Sequence, residues 1–327
     1  MNPSFVLIFC CLLIGLALRF SGKFPKSTPQ SMNLLVIWVS LPAVVLIQIP
    51  RLMEKLSKLD SFFSADILIP ISMAWLLFGL SYTLFSILGR LRNWPESRTG
   101  ALILTAGLGN TAFVGFAVLD SLIGNEALQI AVLVDQLGSF FVLSTVGILF
   151  AASRSPKKHD PASEPSAGAR VETPLYLRIL KSILLFPPFL ALIAAVLWWT
   201  TGTSQNEQVV FILEKFAATL VPLALTAVGF QLKVSRETLA LKWRPLAAGL
   251  LFKLFIGPLA LAGLYMIALD NHSLASRVAI LEAAMAPMIT AAIVAEEFGF
   301  DRDIANLMVG IGIPLSLGTV YIWHILL

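Results

Sequence analysis

Two apolar stretches of the sequence carry polar side chains next to residues that interrupt a helix. In the first stretch Asn110 and Thr111 precede Gly115, and in the second Glu282 precedes Pro287. An interrupted helix exposes peptide N–H groups, which attract anions, and C=O groups, which attract cations. Asn110 both donates and accepts hydrogen bonds, so it is the best single ligand candidate. This pattern indicates binding of a small organic anion beside a cation or a proton. The candidate binding residues are Asn110, Thr111, Gly115, Met285, Pro287 and Thr290.

Four charged residues lie in or beside the apolar stretches and are candidates for ion or proton coupling. They are Asp120, Asp135, Lys253 and Glu282. A charge at the centre of a bilayer costs at least about 2.5–3.5 kcal/mol, so such residues usually have a function. Each also has a structural alternative. Asp135 could form a buried hydrogen bond to a neighbouring helix, and Lys253 could extend along its helix towards the interface. Asp120 and Glu282 could both lie at the outer rim.

The two stretches, 105–123 and 280–298, occupy matching places in the two halves of the chain. Each has helix-interrupting residues in mid-run and then reaches a glycine, Gly124 or Gly299, a similar distance further on. Paired interrupted segments of this kind are the best indication in a sequence of a transporter's binding site. Glycines that allow close helix packing are the alternative. That alternative explains a single interruption more easily than two at matching positions.

The composition requires lipid as the solvent for most of the chain. Of its 327 residues, 57% are hydrophobic and 13% are charged, against about 25% charged in a soluble domain. Long apolar runs predict an all-α polytopic membrane protein. We predict ten transmembrane helices, at 4–20, 33–49, 67–88, 100–123, 127–151, 177–200, 209–230, 245–269, 278–298 and 304–327. Scattered histidines and two adjacent cysteines predict neither a metal site nor a cofactor. Basic residues lie mostly in loops, so the net charge of +4 does not indicate a nucleic-acid partner.

A polar segment at 152–174, rich in Ser, Pro, Lys and Glu, divides the predicted helices into two sets of five, at 1–151 and 175–327. It is predicted to be a flexible cytoplasmic linker. Because five is odd, the second half must be inverted in the membrane relative to the first. Basic residues favour the odd-numbered loops by roughly three to one, which predicts that these loops are cytoplasmic and that both termini lie outside.

Several of these segments resemble the auxin efflux carrier (AEC) family, which also includes bacterial organic-acid carriers. They are Gly109-Asn110-Thr111-Ala112-Phe113-Val114-Gly115, Val134-Asp135-Gln136, Pro222-Leu223-Ala224-Leu225, Gly229-Phe230-Gln231-Leu232 and Ala284-Met285-Ala286-Pro287. The resemblance implies ten helices in two inverted five-helix repeats, whose broken fourth and ninth crossover helices meet at the site. It also implies a transport domain that rocks against a scaffold built around the second and seventh helices, and a homodimer formed through that scaffold. Ala117 stands where the family usually has a proline.

Together these features predict a secondary transporter, not an enzyme, that moves a small carboxylate across the cell membrane by alternating access, with Na⁺ or H⁺ as the coupling ion. Two alternatives stay open. A sodium- or proton-coupled antiporter of the same architecture would need two adjacent acids at membrane depth, which the sequence does not place side by side. A membrane sensor that binds a ligand without moving it would need an output segment, and the loops are short.

Overall fold

A computed structural model gives the structure of residues 3–56, 64–156, 184–202, 206–231 and 236–327. These residues form helices joined by short connections and contain no β-strand. In chain order the helices are α1 (Pro3–Phe20), α2 (28–56), α3 (Ala65–Leu91), α4 (Glu96–Gly107), α5 (Thr111–Leu122), α6 (Asn125–Arg154), α7 (Pro187–Thr200), α8 (Glu207–Gln231), α9 (236–268), α10 (Leu274–Ala283), α11 (Ile289–Glu297) and α12 (Arg302–Leu326).

Six helices of the described chain are long and apolar enough to cross a membrane, namely α2, α3, α6, α8, α9 and α12. Shorter apolar helices lie at Cys10–Phe20, Thr111–Leu122 and Pro187–Thr200. The prediction of an all-α chain with several membrane spans is therefore confirmed. The count of ten spans and the inverted repeat stay predictions. Of the predicted linker, residues 157–174 lie outside the described residues.

The helices pack as two bundles. The first bundle consists of α1, α2, α7 and α8, and the second consists of α3 to α6 and α9 to α12. In the first bundle, α1 and α8 approach so closely that a Cβ on Gly15 would overlap the carbonyl of Thr226, and a Cβ on Gly229 would overlap the carbonyl of Leu12. Small residues of this kind let membrane helices pack backbone against backbone. The bundles touch each other through α2 and α6 and through α5 and α8.

Several helices contain a wide π-helical turn. Three of these turns carry candidate residues: Thr111–Gly115 begins α5, Val134–Ser139 lies in α6 and contains Asp135, and Phe252–Ile256 lies in α9 and contains Lys253. A π-turn inserts an extra residue into the helical repeat and redirects the side chains around it, and such turns are frequent at functional sites. The three turns therefore aim candidate side chains away from the direction that a regular helix would give them.

Ion pairs join the helices of the second bundle at the end of the molecule where α4 and α12 begin. Asp301 caps α12 by accepting a hydrogen bond from the backbone N–H of Ile304, and its own N–H donates to the Ser97 carbonyl 2.9 Å away. Lys242 of α9 donates to Asp301 at 2.6 Å and to Asp303 at 2.9 Å. The N-terminal ends of α4 and α12 are therefore fixed to α9 and to each other.

Candidate functional site

The connections of two helix pairs lie against each other inside the second bundle. One connection, 108–110, joins α4 to α5, and the other, 284–288, joins α10 to α11. We call these two segments together the junction. The interruptions fall within the stretches in which the glycines and the proline indicated them. The two helices of each pair are of similar length, so the junction lies near the middle of both pairs. Placed end to end, the helices of each pair would be long enough to span a bilayer.

The two segments of the junction form hydrogen bonds with each other's backbone N–H and C=O groups. Asn110 donates its backbone N–H to the Ala286 carbonyl at 2.7 Å, and Met288 donates to the Leu108 carbonyl at 3.0 Å. Between these bonds Gly109 and Pro287 face each other as an antiparallel bridge. Non-helical backbone is tolerated at membrane depth only where protein or a water-filled cavity surrounds it. The mutual pairing meets that requirement for four of the exposed groups.

Asn110 caps α5 from the junction. Its Oδ1 accepts a hydrogen bond from the backbone N–H of Phe113 at 3.2 Å, and the residue is only 2% exposed. Its Nδ2 is buried and has no hydrogen-bond partner among the described residues. A buried amide donor without a hydrogen-bond partner lowers the stability of a fold. A ligand that accepts a hydrogen bond from this donor would remove that cost. Asn110 therefore presents a donor at the N-terminal end of α5.

Asp135 reaches the junction from α6. Thr111 donates its hydroxyl to one carboxylate oxygen at 2.6 Å, and the side-chain amide of Gln136 donates to the other at 2.7 Å. All three residues are buried. Because both oxygens accept, these contacts suit the ionised carboxylate. Asp135 thus forms the buried hydrogen bond to a neighbouring helix that was its structural alternative. The partner in that bond is Thr111, the first residue of α5.

Glu282 crosses from α10 to pack on α5. Its carboxylate lies against Gly115, where an added Cβ would stand 2.8 Å from the carboxyl carbon. The residue is fully buried, and neither carboxylate oxygen has a hydrogen-bond partner among the described residues. The alternative of a rim position does not apply to this residue, because it is fully buried against α5. Only glycine at position 115 lets the carboxylate approach so closely.

Lys253 points into the junction and not along its helix to an interface. It is fully buried, and its Nζ donates to the carbonyl of Ala283, the last residue of α10, at 2.8 Å. Nζ also lies 3.0 Å from where a Cβ on Gly109 would be. The C-terminal end of a helix carries partial negative charge, which favours a cation there. The ammonium therefore lies between the C-terminal end of α10 and Gly109 in the facing segment of the junction.

The fold brings two acids together that are far apart in the sequence. Asp135 accepts a hydrogen bond from Thr111, and Glu282 packs on Gly115, so both acids reach the first turn of α5. The formal charges of Asp135, Glu282 and Lys253 sum to one negative charge, so the pair of acids is only half compensated by the lysine.

The other candidate residues lie in different surroundings. Met285 is fully buried within the junction, and Pro287 is buried against Gly312 of α12. Asp120, near the end of α5, and Thr290, on α11, are both exposed.

A cavity of about 490 Å³ separates the two bundles beside the junction. Residues of α2 and α8 line one side, and residues of α11 and α12 line the other. Its polar lining includes Lys26, Gln30, Asn33, Gln231, Arg302 and Asn306. Arg302 pairs with Glu296 at 3.0 Å in the same wall. The cavity reaches Ile289, the first residue of α11 after the junction. The sequence analysis missed these residues as a site, although the amides of Asn33 and Asn306 at the ends of apolar runs were a usable signal.

Comparison with known proteins agrees with the features of this site. The sequence profile of a family described as "Membrane transport protein" matches residues 3–324. The chain belongs to this family, the auxin efflux carriers. The AEC chain is 26% identical to a protein of Methanothermobacter thermautotrophicus named "Uncharacterized transporter", over 98% of this chain and 96% of that one. It is 23% identical to an "Uncharacterized transporter" of Methanocaldococcus jannaschii, over 97% and 96% of the two chains. Its family and its apolar spans make this AEC chain a multi-pass membrane protein.

Proposed function

We propose that this AEC chain is a secondary transporter that moves a small carboxylate across the cytoplasmic membrane by elevator-type alternating access. The observation that supports this most directly is the junction. Two interrupted helices meet there, a buried amide donor of Asn110 has no protein partner, and a cavity between the bundles ends beside it.

The local chemistry favours an anion as the cargo. The N-terminal ends of α5 and α11 both begin at the junction, and such ends carry partial positive charge. The amide donor of Asn110 adds a directed hydrogen bond. Farther out, Lys26 and Arg302 give the cavity two cations against the single carboxylate of Glu296. A carboxylate entering the cavity therefore meets a net positive charge at the cavity wall and hydrogen-bond donors at the helix ends.

The two bundles supply the parts that an elevator needs. The first bundle, with α2 and α8, would be the fixed scaffold, and the second bundle, which holds the junction, would move with the substrate. In this proposal the chain has ten spans in two inverted repeats, with the crossover helices at the junction. Two copies of the chain form a homodimer through the scaffold. The proposal also takes the odd-numbered loops as cytoplasmic and both termini as outside.

On this orientation the cavity opens to the cytoplasm, because Lys26, Gln231 and Arg302 all flank odd-numbered loops. At the opposite end, Gln48 of α2 donates to Asn125 at the start of α6 at 2.6 Å. This hydrogen bond joins the two bundles on the outer side. The arrangement is that of an inward-facing carrier.

A cation antiporter of the same architecture is the second candidate. The position of Asp135 and Glu282 against the same turn of α5 favours it, since neighbouring buried acids can exchange a proton for a cation. Lys253 offsets one of the two negative charges, which leaves one for a coupling proton or cation.

Flux through proteoliposomes distinguishes the two candidates. Monocarboxylates, dicarboxylates and indole acids should be tested as radiolabelled substrates, with Na⁺ and pH gradients imposed separately. We expect saturable uptake of at least one carboxylate, which unlabelled substrate suppresses and the Asn110→Ala variant lacks. Exchange of Na⁺ for H⁺ without any carboxylate flux would instead establish the antiporter. Wild-type carboxylate uptake by Asn110→Ala would remove the proposed central ligand.

A further inference from the structure

At the junction a lysine ammonium lies at the C-terminal end of an interrupted helix. The carbonyl of Ala283 at the end of α10 accepts from the ammonium of Lys253 at 2.8 Å. In transporters with interrupted helices, carbonyls at such half-helix ends are where a coupling Na⁺ binds. Here a lysine nitrogen is already in hydrogen-bonding contact with that carbonyl.

Glu282 is the second, independent sign of a cation site. It is fully buried, and both of its carboxylate oxygens lack a hydrogen-bond partner among the described residues. Its backbone belongs to the same helix end as Ala283, the residue whose carbonyl accepts from Lys253. Carboxylate and carbonyl oxygens are the ligands that hard cations prefer. Burying an ionised carboxylate without hydrogen bonds costs free energy unless a cation lies close to it or a proton neutralises it.

We propose that the Lys253 ammonium is a tethered cation that takes the place of Na⁺ at the junction, and that removing it uncovers a Na⁺ site formed by the Glu282 carboxylate and the Ala283 carbonyl. Because the lysine cannot dissociate, the site stays filled throughout the transport cycle. The carrier then needs no Na⁺ gradient. This last consequence rests on the proposed function, whereas the cation site itself does not.

The surroundings of the lysine fit a fixed and not a mobile cation. Residue 253 lies on a π-turn, which directs its side chain into the bundle, and its Nζ is enclosed on the other side by Gly109. A side chain at position 109 would have its Cβ 3.0 Å from Nζ and would press on it. Glycine here therefore both permits the break and leaves room for the ammonium.

Binding of Na⁺ to purified protein tests this inference without any transport measurement. The unfolding temperature of the protein in detergent is measured in NaCl and in choline chloride at equal ionic strength, together with binding of ²²Na⁺. We expect no difference between the salts for the wild type. For Lys253→Ala we expect saturable ²²Na⁺ binding and an unfolding temperature higher by about 2 °C or more in NaCl near tenfold saturation.

Two further variants control the result. The double variant Lys253→Ala with Glu282→Gln should lose the Na⁺ effect, because one charged ligand is gone. Lys215→Ala removes an exposed lysine of α8 and should behave as the wild type. Folded Lys253→Ala protein that prefers neither salt and binds no ²²Na⁺ would overturn the inference. So would Na⁺-specific stabilisation of the wild type.

If Lys253→Ala does not fold, Lys253→Met can replace it, because methionine keeps most of the length of the lysine side chain without its charge. The measurements on the wild type also test the inference by themselves. A wild type that binds Na⁺ specifically overturns the inference, and one that does not, with equal stability in both salts, supports it. Since none of these readouts uses flux, a negative result here is distinguishable from a failure of the carboxylate assay.

Discussion

Gly115 and Glu282 lie in van der Waals contact although they come from opposite halves of the chain. A Cβ built on the glycine would stand 2.8 Å from the carboxyl carbon of Glu282 and closer still to its oxygens. The contact joins α5 to α10 directly behind the junction. The missing side chain at position 115 therefore sets where the carboxylate lies.

The first prediction follows from this contact. Gly115→Ala should force the Glu282 carboxylate to move, destabilise the protein by about 1–3 kcal/mol and abolish most transport, because overpacking a filled interior shifts its neighbours. Thermal unfolding and proteoliposome flux measure the two effects. Combining the change with Glu282→Ala should restore stability but not transport.

Gly79→Ala is the matched control for Gly115→Ala. Gly79 lies inside α3, and a Cβ there would meet no atom within 4 Å. Alanine in a helix interior is favoured over glycine by up to about 1 kcal/mol, so this variant should be as stable as the wild type or more so. Equal effects of the two alanines would show that the Glu282 contact is unimportant.

The second prediction separates the two ends of the Asn110 amide. Asn110→Asp keeps the oxygen that caps α5 but replaces the unpartnered Nδ2 donor by a second acceptor. A hydrogen bond to a charged group contributes about 1.5–3 kcal/mol. Substrate affinity should therefore fall by about 10- to 150-fold or more. Affinity is measured as the KM of carboxylate uptake.

Asn206→Asp tests whether the cap alone matters. Asn206 caps α8 in the same way, by accepting from the backbone N–H of Gln208, and it is exposed. This exchange should leave both stability and KM unchanged, because Asp and Asn are equally good caps. An unaltered KM in Asn110→Asp would mean that the donor does not touch the substrate.

The position of the junction was predictable because helix-interrupting residues recur at matching places in the two halves of the chain. The contacts at the junction were not. Glu282 reaches Gly115 only because the two halves of the chain pack together. The π-turn at residue 253 leaves no trace in the pattern of apolar residues, so the sequence does not reveal it. Hydropathy also placed the start of the second helix at 33, whereas α2 begins at Thr28 and uses polar residues of its first turns to line the cavity.

The third prediction concerns the charge of Asp135. In Asp135→Asn the new side chain can still accept from Thr111, and a rotated Gln136 amide can accept from it through Oε1, which has no partner in the wild type. The fold should therefore survive while one negative charge beside Glu282 is lost. We expect transport that no longer responds to an imposed pH gradient, measured in proteoliposomes.

Asp66→Asn is the corresponding control, because Asp66 is exposed in the first turn of α3. It should retain the pH response of the wild type. If Asp135→Asn also keeps the full dependence of transport on pH, the carboxylate of Asp135 has a structural role only.

The fourth prediction uses the contact between Gln48 and Asn125, which joins the two bundles at 2.6 Å. In a background with Cys10 and Cys11 replaced by alanine, a cysteine at each position should be linked through disulfides by a short bifunctional methanethiosulfonate reagent. If the second bundle moves past the first in each cycle, the link must stop carboxylate flux, and dithiothreitol must restore it.

The pair Ser40 and Thr219 supplies the matched control for that cross-link. Their hydroxyls are 2.7 Å apart, a separation close to that of Gln48 and Asn125, but α2 and α8 belong to the same bundle. A link within one bundle leaves the motion between bundles free, so flux should continue. Arrest by both links would indicate that the bundles deform and do not move as rigid units. Continued flux in protein fully linked between residues 48 and 125 would exclude relative motion of the two bundles at this end of the molecule.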